Sequence, residues 1–278
     1  MKAAEARVLL TGAGGGIGQA TARALAATGA ALLLAGRSPG RLAAQARALQ
    51  QQVPGAEVRW EEANLRDPGA IPSLAAAARD HACNVVVHAA GLPQFGHLDD
   101  CDAATMARVL DTNLLAPMLL TQALLPHLRT LPRAQVICVG SALGAIGLPG
   151  YSVYCASKFG LRGFAQALRR ELADTPVRVQ YLGPRSTRTA FNGAEVAAYN
   201  RATGTAMDSP ESVAQALMAL LEAEAAERFL GFPEKFAARL NGLAPVALDG
   251  AFATHRRSLP ARPATHLQPI EEEMKNAH

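Results

Sequence analysis

The sequence is poor in cysteine and in aromatic residues: it has four cysteines, and aromatic side chains make up 5% of its 278 residues. No two cysteines form a C-x-x-C pair, and Cys138 and Cys155 lie in segments that we expect to be a buried strand and a buried helix. This pattern argues against a disulfide framework or a metal site and favours reduced thiols in the core. We therefore expect a cytoplasmic protein.

The chain also lacks long apolar runs and long runs of charge. The first residues, MKAAEARVLL, contain Glu5 and Arg7 and so form no signal-peptide core, and no later run is long enough to span a membrane. The formal charge is +4, but no Lys/Arg block is interleaved with aromatic residues, so we expect no nucleic-acid partner. No H-E-x-x-H motif or His/Cys/Asp cluster occurs, so we expect no metal.

Short apolar runs alternate with alanine-rich helical stretches along most of the chain. This alternation is typical of an α/β protein with a doubly wound, Rossmann-type parallel sheet of about seven strands and helices on both faces. Ligands of such sheets bind at the carboxyl ends of the strands. The predicted strands are Val8 to Leu10, Ala31 to Ala35, Glu57 to Trp60, Val85 to Ala89, Val136 to Val139, Val177 to Tyr181 and Phe229 to Phe232.

No Pro/Gly/Ser-rich linker or fixed-period repeat divides the chain before residue 250. We expect one catalytic domain over 1–252, of which 233–252 form a helical C-terminal extension, followed by a flexible tail over 253–278.

A Ser, a Tyr and a Lys are spaced for chemistry in the middle of the chain. The run QVICVGS predicts a buried strand that ends at Ser141, and Tyr151 to Leu172 predicts a helix. Tyr154 and Lys158, at i and i+4, share one face of that helix. A cation within about 4–6 Å lowers the pKa of a phenol from its usual value near 10, so the three residues are suited to proton transfer at a carbonyl oxygen.

The stretch from Ser141 through Tyr154 and Lys158, with CASKFG after the Tyr, resembles the short-chain dehydrogenase/reductase family of NAD(P)-dependent oxidoreductases. The resemblance implies that Tyr154 donates or accepts the proton, that Lys158 tunes Tyr154 and holds the nicotinamide ribose, and that Ser141 orients the substrate oxygen. It also implies a fourth catalytic residue, Asn113, which lies in a helix predicted from about Asp99 to Leu128 and holds a water of a proton relay.

A glycine-rich loop, LLTGAGGGIG, leaves the first strand and enters a helix, an arrangement that lets a diphosphate approach backbone N–H groups. The family motif T-G-x-x-x-G-x-G maps onto this loop, although the T-G-x-x-G-x-x-G spacing of the epimerase-like branch also fits through Gly15. The cofactor contacts that the resemblance implies are Thr11, Gly12, Gly14, Gly16, Ile17, Gly18, Asn64, Leu65, Ala90, Gly91, Tyr154, Lys158, Pro184, Thr187 and Thr189.

The second strand ends at Gly36 and Arg37, where NAD-binding folds usually place an acidic residue against the ribose 2′-hydroxyl. No Asp or Glu occurs between Glu5 and Glu57, whereas five arginines do. A guanidinium binds a 2′-phosphate, so Arg37 predicts NADP(H) as the cofactor.

Two positions depart from the family pattern. His88 and Ala89 replace the two Asn of the motif N-N-A-G, and an imidazole there is either a hydrogen-bonded structural group or a catalyst. Arg185 replaces a Gly, and it either adds charge near the cofactor or the substrate entrance or is solvated. The roles of both residues stay open.

The stretch Ala190 to Met207 has few charges and predicts an apolar lid, which favours a hydrophobic or acyl-type carbonyl or alcohol substrate. The usual Gly-Gly ending of the family is absent. In its place stands an apolar stripe that must be buried against the chain itself, in a homodimer or homotetramer, or on a membrane surface with Lys235 and Arg239 facing lipid phosphates. The stripe comprises Phe236, Leu240, Leu243, Val246, Leu248 and Phe252.

Together these features predict an NADP(H)-dependent oxidoreductase that reduces a ketone or oxidises the matching secondary alcohol. A catalytically silent NADP-binding sensor or scaffold is the alternative, although such a protein has no need of Tyr154 and Lys158 together. A sugar-nucleotide epimerase would need a larger substrate domain than 278 residues supply.

Overall fold

The computed structural model describes residues 1–232 and 234–260. Its centre is a parallel sheet of seven strands in the order β3-β2-β1-β4-β5-β6-β7, which confirms the predicted fold class. The strands are β1 (Arg7–Thr11), β2 (Ala31–Gly36), β3 (Val58–Glu62), β4 (Val85–His88), β5 (Ala134–Val139), β6 (Val177–Gly183) and β7 (Glu227–Phe229).

Helices connect the strands and cover both faces of the sheet. They are α1 (Gly16–Ala27), α2 (Pro39–Gln52), α3 (Ala70–Asp80), α4 (Ala103–Leu110), α5 (Ala116–Leu128), α6 (Ser152–Glu171), α7 (Ala194–Ala202), α8 (Pro210–Ala223), α9 (Glu234–Leu243) and α10 (Ala253–Arg257).

Two apolar cores lie on opposite faces of the sheet, because successive side chains of a strand point to opposite faces. In β1, Val8 and Leu10 pack into the core that α1, α2 and α8 cover, whereas Leu9 packs into the core of α3, α5 and α6. Strand β1 pairs with β2 on one side and with β4 on the other, so the strand order reverses there. At this point the loops after β1 and β4 diverge and leave a crevice.

Several predicted elements have other bounds in the structure. The single helix predicted from Asp99 to Leu128 is α4 and α5 joined by a π-helical turn, Asp111–Leu115. The third and sixth strands each run two residues further than predicted, and the seventh ends at Phe229 rather than Phe232. Gly231 explains the early end of β7, because its φ of +84° turns the chain out of the extended conformation.

The C-terminal extension contains α9 and a 3-10 helix over Val246–Phe252, and α9 buries a small residue rather than its large ones. Ala238 packs against Ala145 and Ile146, and Asn241 Nδ2 donates to Ala145 O at 2.9 Å. On the outer face, Phe236 is 62% exposed and Leu243 is 85% exposed. Burial of the whole stripe against the described part of the chain is therefore wrong, and an oligomer or a membrane surface stays as a prediction.

Residues 253–260, the start of the predicted flexible tail, lie against the rest of the domain. Helix α10 packs on α7, where Tyr199 Oη and His255 Nδ1 are 2.8 Å apart, and the carbonyl of Pro260 hydrogen-bonds His97 Nε2 at 3.1 Å. The rest of the predicted tail, 261–278, lies outside the described residues. No helix in the described ranges is long and apolar enough to cross a membrane.

His88 is a structural residue at the end of β4. Its ring is buried, and Nε2 lies 2.8 Å from Thr121 Oγ1 of α5, so it joins the sheet to a covering helix. Burial lowers the pKa of His88 to about 4. Of the two roles that the sequence left open for His88, the hydrogen-bonded structural group is therefore the one observed.

His88 should make the protein less stable in acid. Between pH 6.5 and about 4 the unfolded chain binds a proton at this residue and the native chain does not, so stability falls as the pH falls through that window. The shift corresponds to about 3 kcal/mol. In denaturant titrations at several pH values, His88→Asn should show a correspondingly smaller loss of stability from pH 7 to pH 4. If the free energies of unfolding of the wild type and the variant fall equally from pH 7 to pH 4, the low pKa assigned to His88 is contradicted.

Candidate functional site

A cavity of about 630 Å³ lies along the carboxyl ends of the strands. It collects most of the residues that the sequence singled out, from the glycine-rich loop at one side to the Ser, Tyr and Lys at the other. The predicted site residues that line it are Gly12, Gly14, Gly16, Ile17, Gly18, Arg37, Asn64, Leu65, Ala90, Gly91, Ser141, Tyr154, Lys158, Pro184, Thr187 and Thr189. Thr11 and Asn113 do not line it.

The glycine-rich loop is packed too closely for side chains. Gly12 has a φ of +65°, and a Cβ atom there would lie 2.6 Å from the backbone of Ala90. A Cβ on Gly18 would lie 2.9 Å from Ala13 Cα, and one on Gly16 would meet Thr189. The loop therefore lies against the loop after β4 and leads into the N-terminus of α1, where unpaired N–H groups favour an anion.

Thr11 does not face the cavity, and its side chain instead stabilises the packing of the glycine-rich loop against the loop after β4. Its hydroxyl accepts hydrogen bonds from the N–H groups of Ala89 and Ala90 at 3.2 and 3.3 Å and donates to Val87 O. Thr11 thus holds the end of β4 in place, and the direct cofactor contact predicted for it stays a prediction.

The loops after β2 and β3 make one end of the cavity strongly basic. Arg37 lines this end as predicted, and the structure adds Arg41 and Arg66. Arg41 also donates to Gly14 O at 3.2 Å, which places its guanidinium beside the glycine-rich loop. The sequence contained a signal for Arg41, because it follows Arg37 by four residues at the start of α2.

Ser141, Tyr154 and Lys158 meet at the other end, on the loop after β5 and on α6. Lys158 is 4% exposed, and its Nζ donates to Val139 O at 3.3 Å and lies 5.6 Å from the centre of the Tyr154 ring. Burial lowers the pKa of Lys158 to about 8, because a cation is disfavoured away from water.

The net pKa of Tyr154 lies above its ordinary value in this structure, not below it as the nearby Lys158 led us to expect. Burial raises the pKa of Tyr154 well above its ordinary value, and the hydrogen bond with Ser141 offsets only part of that rise. A neutral phenol is therefore the dominant form at neutral pH, and it is a proton donor aimed into the cavity. This arrangement supports proton donation to a bound oxygen atom.

Tyr181, which sequence reasoning missed, fixes the position of Ser141. Its buried hydroxyl donates to Ser141 O at 2.8 Å and accepts from Ser141 N at 3.0 Å. A Cβ on Gly140 or Gly144 would collide with the same side chain, so both glycines leave room for it. Tyr181 lies on β6, forty residues from Ser141, and no local pattern links the two.

Asn113 fixes the loop after β4 from the π-helical turn. Its Oδ1 accepts from Leu92 N at 2.7 Å, and its Nδ2 donates to Leu92 O and to Ser157 Oγ, each at 3.0 Å. These contacts use both N–H donors of the amide, and the predicted role of Asn113 in a proton relay stays a prediction. The residue sits behind the cavity, since Gly91 separates it from the open space.

Arg185 lines the cavity and is also held by two ion pairs. Its guanidinium pairs with Asp208 at 2.8 Å and with Glu234 of α9 at 3.7 Å, so it ties the loop after β6 to the extension. Of the alternatives left open by the sequence, a place beside the cavity is therefore the one observed. The lid predicted over Ala190 to Met207 contains α7, and its Phe191 lies 6.1 Å from the Tyr154 ring, centre to centre.

Comparisons with known proteins agree with this geometry. A family model described as short chain dehydrogenase matches residues 6–200. The dehydrogenase/reductase SDR family member 7B of Bos taurus is 31% identical over 266 residues, which cover 90% of this chain and 81% of that protein. A monensin polyketide synthase putative ketoacyl reductase of Streptomyces virginiae is 36% identical over 63% of this chain and 68% of its own length.

Among solved structures, a short-chain dehydrogenase from Sphingobium yanoikuyae in complex with NADPH superposes with a TM-score of 0.75 at 26% identity. The superposition covers 92% of this chain and 99% of that one.

The Tyr181 hydroxyl should matter for turnover although it does not face the cavity. Tyr181→Phe keeps the ring but leaves the N–H and C=O of Ser141 without these partners, so we expect kcat for carbonyl reduction to fall about tenfold with cofactor affinity retained. Phe229→Leu is the matched control, because Phe229 packs on the Tyr181 ring at 5.9 Å and leaves its hydroxyl in place. Equal kcat losses in the two variants, measured by steady-state kinetics, would refute the positioning role.

Proposed function

The chain belongs to the short-chain dehydrogenase family, and we propose that within it the protein is an NADP(H)-dependent carbonyl reductase, or the matching alcohol dehydrogenase. The observation that carries the proposal is the meeting of Ser141, Tyr154 and Lys158 in one cavity with the glycine-rich loop. A catalytically silent NADP-binding protein has no need of a buried phenol and ammonium at this place.

The residues of the cavity fit a nicotinamide dinucleotide phosphate. Its described lining contains no Asp or Glu, whereas Arg37, Arg41 and Arg66 lie at one end and Lys158 at the other. The amides of the glycine-rich loop and of the first turn of α1 would bind the diphosphate, and the arginines would bind the 2′-phosphate. When bound, the nicotinamide supplies or accepts the hydride.

The protein's own groups handle the oxygen atom of the substrate. Ser141 Oγ donates a hydrogen bond that orients the carbonyl oxygen, and Tyr154 Oη donates its proton to that oxygen in the reduction. Lys158 holds the nicotinamide ribose and stabilises the phenolate that Tyr154 leaves behind. In the oxidation the proton moves the other way, and the ratio of the two cofactor forms sets the net direction.

The substrate that this cavity favours is apolar. Phe95, Tyr151, Phe191 and Val196 line the cavity near Tyr154, and α7 covers this part. A hydrophobic or acyl-type ketone suits such a wall. The relative from Streptomyces virginiae, whose name describes it as a putative ketoacyl reductase, supports an acyl-type substrate.

Assembly and location complete the proposal. Apolar side chains of the π-helical turn, α5 and α6 are exposed side by side, among them Leu115 (45%), Met118 (38%) and Phe159 (41%). A second copy of the chain would bury them, in a homodimer or homotetramer. The cytoplasmic location inferred from the cysteines stays a prediction.

Replacing Tyr154 by Phe tests the catalytic proposal. The variant keeps the aromatic body and removes the proton donor, so turnover of NADPH with a ketone should fall at least about 100-fold while NADPH binding stays nearly unchanged. Stopped-flow or steady-state absorbance measures turnover, and fluorescence titration measures binding. A variant that binds NADPH and retains its turnover would refute the mechanism.

Replacing Arg37 by Ala tests the choice of cofactor. Loss of a guanidinium that binds the 2′-phosphate should weaken NADPH binding about 10- to 100-fold and leave NADH binding unchanged. Arg47→Ala is the matched control, since Arg47 is an exposed arginine of α2 that does not line the cavity. Equal loss of affinity for both cofactors in Arg37→Ala, or a wild-type preference for NADH, would overturn the assignment.

A further inference from the structure

Gln94 lies on a loop that is held at both ends. At its start, Leu92 forms two hydrogen bonds with the side chain of Asn113, at 2.7 and 3.0 Å. At its far end, Gly96 N donates to Gly150 O at 2.9 Å. Hydrogen bonds therefore tie residues 92–96 to the π-helical turn at one end and to the segment before α6 at the other. These bonds fix the backbone of Gln94 between the two points.

The side chain of Gln94 is buried and lacks a partner at its amide oxygen. The residue is 8% exposed and lines the cavity together with Ser141 and Tyr154. Within residues 1–232 and 234–260, no group hydrogen-bonds its Oε1. Because a buried acceptor without a partner destabilises the protein, an unpaired amide oxygen on a residue that lines a cavity points to a polar atom that arrives with a ligand.

The neighbours of Gln94 in this wall are apolar and aromatic. The ring of Phe95 lies 4.9 Å from that of Tyr151, which in turn lies 6.2 Å from the Tyr154 ring. Phe191 faces Tyr154 from the lid at 6.1 Å. Gln94 shares the cavity with these rings and with the carbonyl-binding pair, Ser141 and Tyr154.

We propose that Gln94 is a specificity-determining residue whose amide oxygen accepts a hydrogen bond from a second polar group of the substrate. The substrate class is then an aromatic or bulky apolar ketone that carries a hydroxyl or N–H donor away from the reacting carbonyl. This inference rests on the proposed carbonyl reduction, which it deepens by stating what the rest of the substrate contains.

A hydrogen bond to Gln94 predicts strong discrimination between a ketone that carries the donor group and the matched ketone that lacks it. A site that is built to hydrogen-bond a substrate hydroxyl rejects the analogue that lacks it, because the polar group of the protein is then left unpaired. An apolar wall without Gln94 would distinguish the two compounds only weakly. Gln94 should therefore act mainly on the choice between matched ketones and little on cofactor binding.

The test uses 4-phenyl-2-butanone and its 2-, 3- and 4-hydroxyphenyl analogues as probes. With the wild type and NADPH, at least one hydroxylated ketone should exceed the parent ketone about tenfold or more in kcat/KM. Gln94→Leu, of similar volume, should abolish this preference by lowering kcat/KM for the hydroxylated ketone and raising it for the parent ketone, while its affinity for NADPH stays within about twofold. An unchanged preference in Gln94→Leu, or no preference in the wild type, would overturn the inference.

A second measurement separates this inference from the proposed function. With NADP⁺ in place of NADPH the ketones bind without being reduced, so calorimetry reports their affinity alone. If a hydroxylated ketone binds more tightly than the parent and Gln94→Leu loses this difference, the inference about Gln94 is supported, whether or not any ketone is turned over. A complete lack of turnover with NADPH would contradict only the carbonyl-reductase assignment. Turnover without any such discrimination would sink only the role of Gln94, and failure of every probe to bind would overturn the substrate class.

Discussion

Seven parallel strands bring all their carboxyl ends to one edge, and the reversal of strand order between β1 and β4 opens a crevice at that edge. Everything else in the site depends on this constraint. The loop after β1 can approach the loop after β4 only because Gly12 has no side chain. Thr11 then joins the two strand ends through its hydroxyl, which fixes the floor of the crevice.

Buried polar side chains position the reacting groups from behind. Tyr181 holds the main chain of Ser141, and Asn113 holds the loop that carries Gln94. Each of these side chains comes from an element distant in sequence, and each has its hydrogen-bonding groups satisfied by protein atoms. The cavity wall is therefore preorganised, and a substrate meets donors whose directions are already set.

The fold and the residues of the cavity were largely predictable from the sequence, because both depend on local patterns. Alternating apolar runs identified seven strands, and the spacing of Tyr154 and Lys158 on one helix placed them in one wall. What escaped prediction depends on the three-dimensional packing. The hydrogen bond of Tyr181 with Ser141 and the ion pair of Arg185 with Glu234 join residues forty or more positions apart. The high pKa of Tyr154 follows from its degree of burial, which the sequence does not display.

Helix α9 illustrates a different consequence of packing. It covers the domain with alanine and exposes phenylalanine and leucine, so its docking on the domain buries little apolar surface. Its main polar links to the domain are the hydrogen bond of Asn241 and the ion pair of Glu234 with Arg185. In the isolated chain, amide protons of α9 should therefore exchange with solvent through local opening, long before those of the central strands, which exchange only on global unfolding.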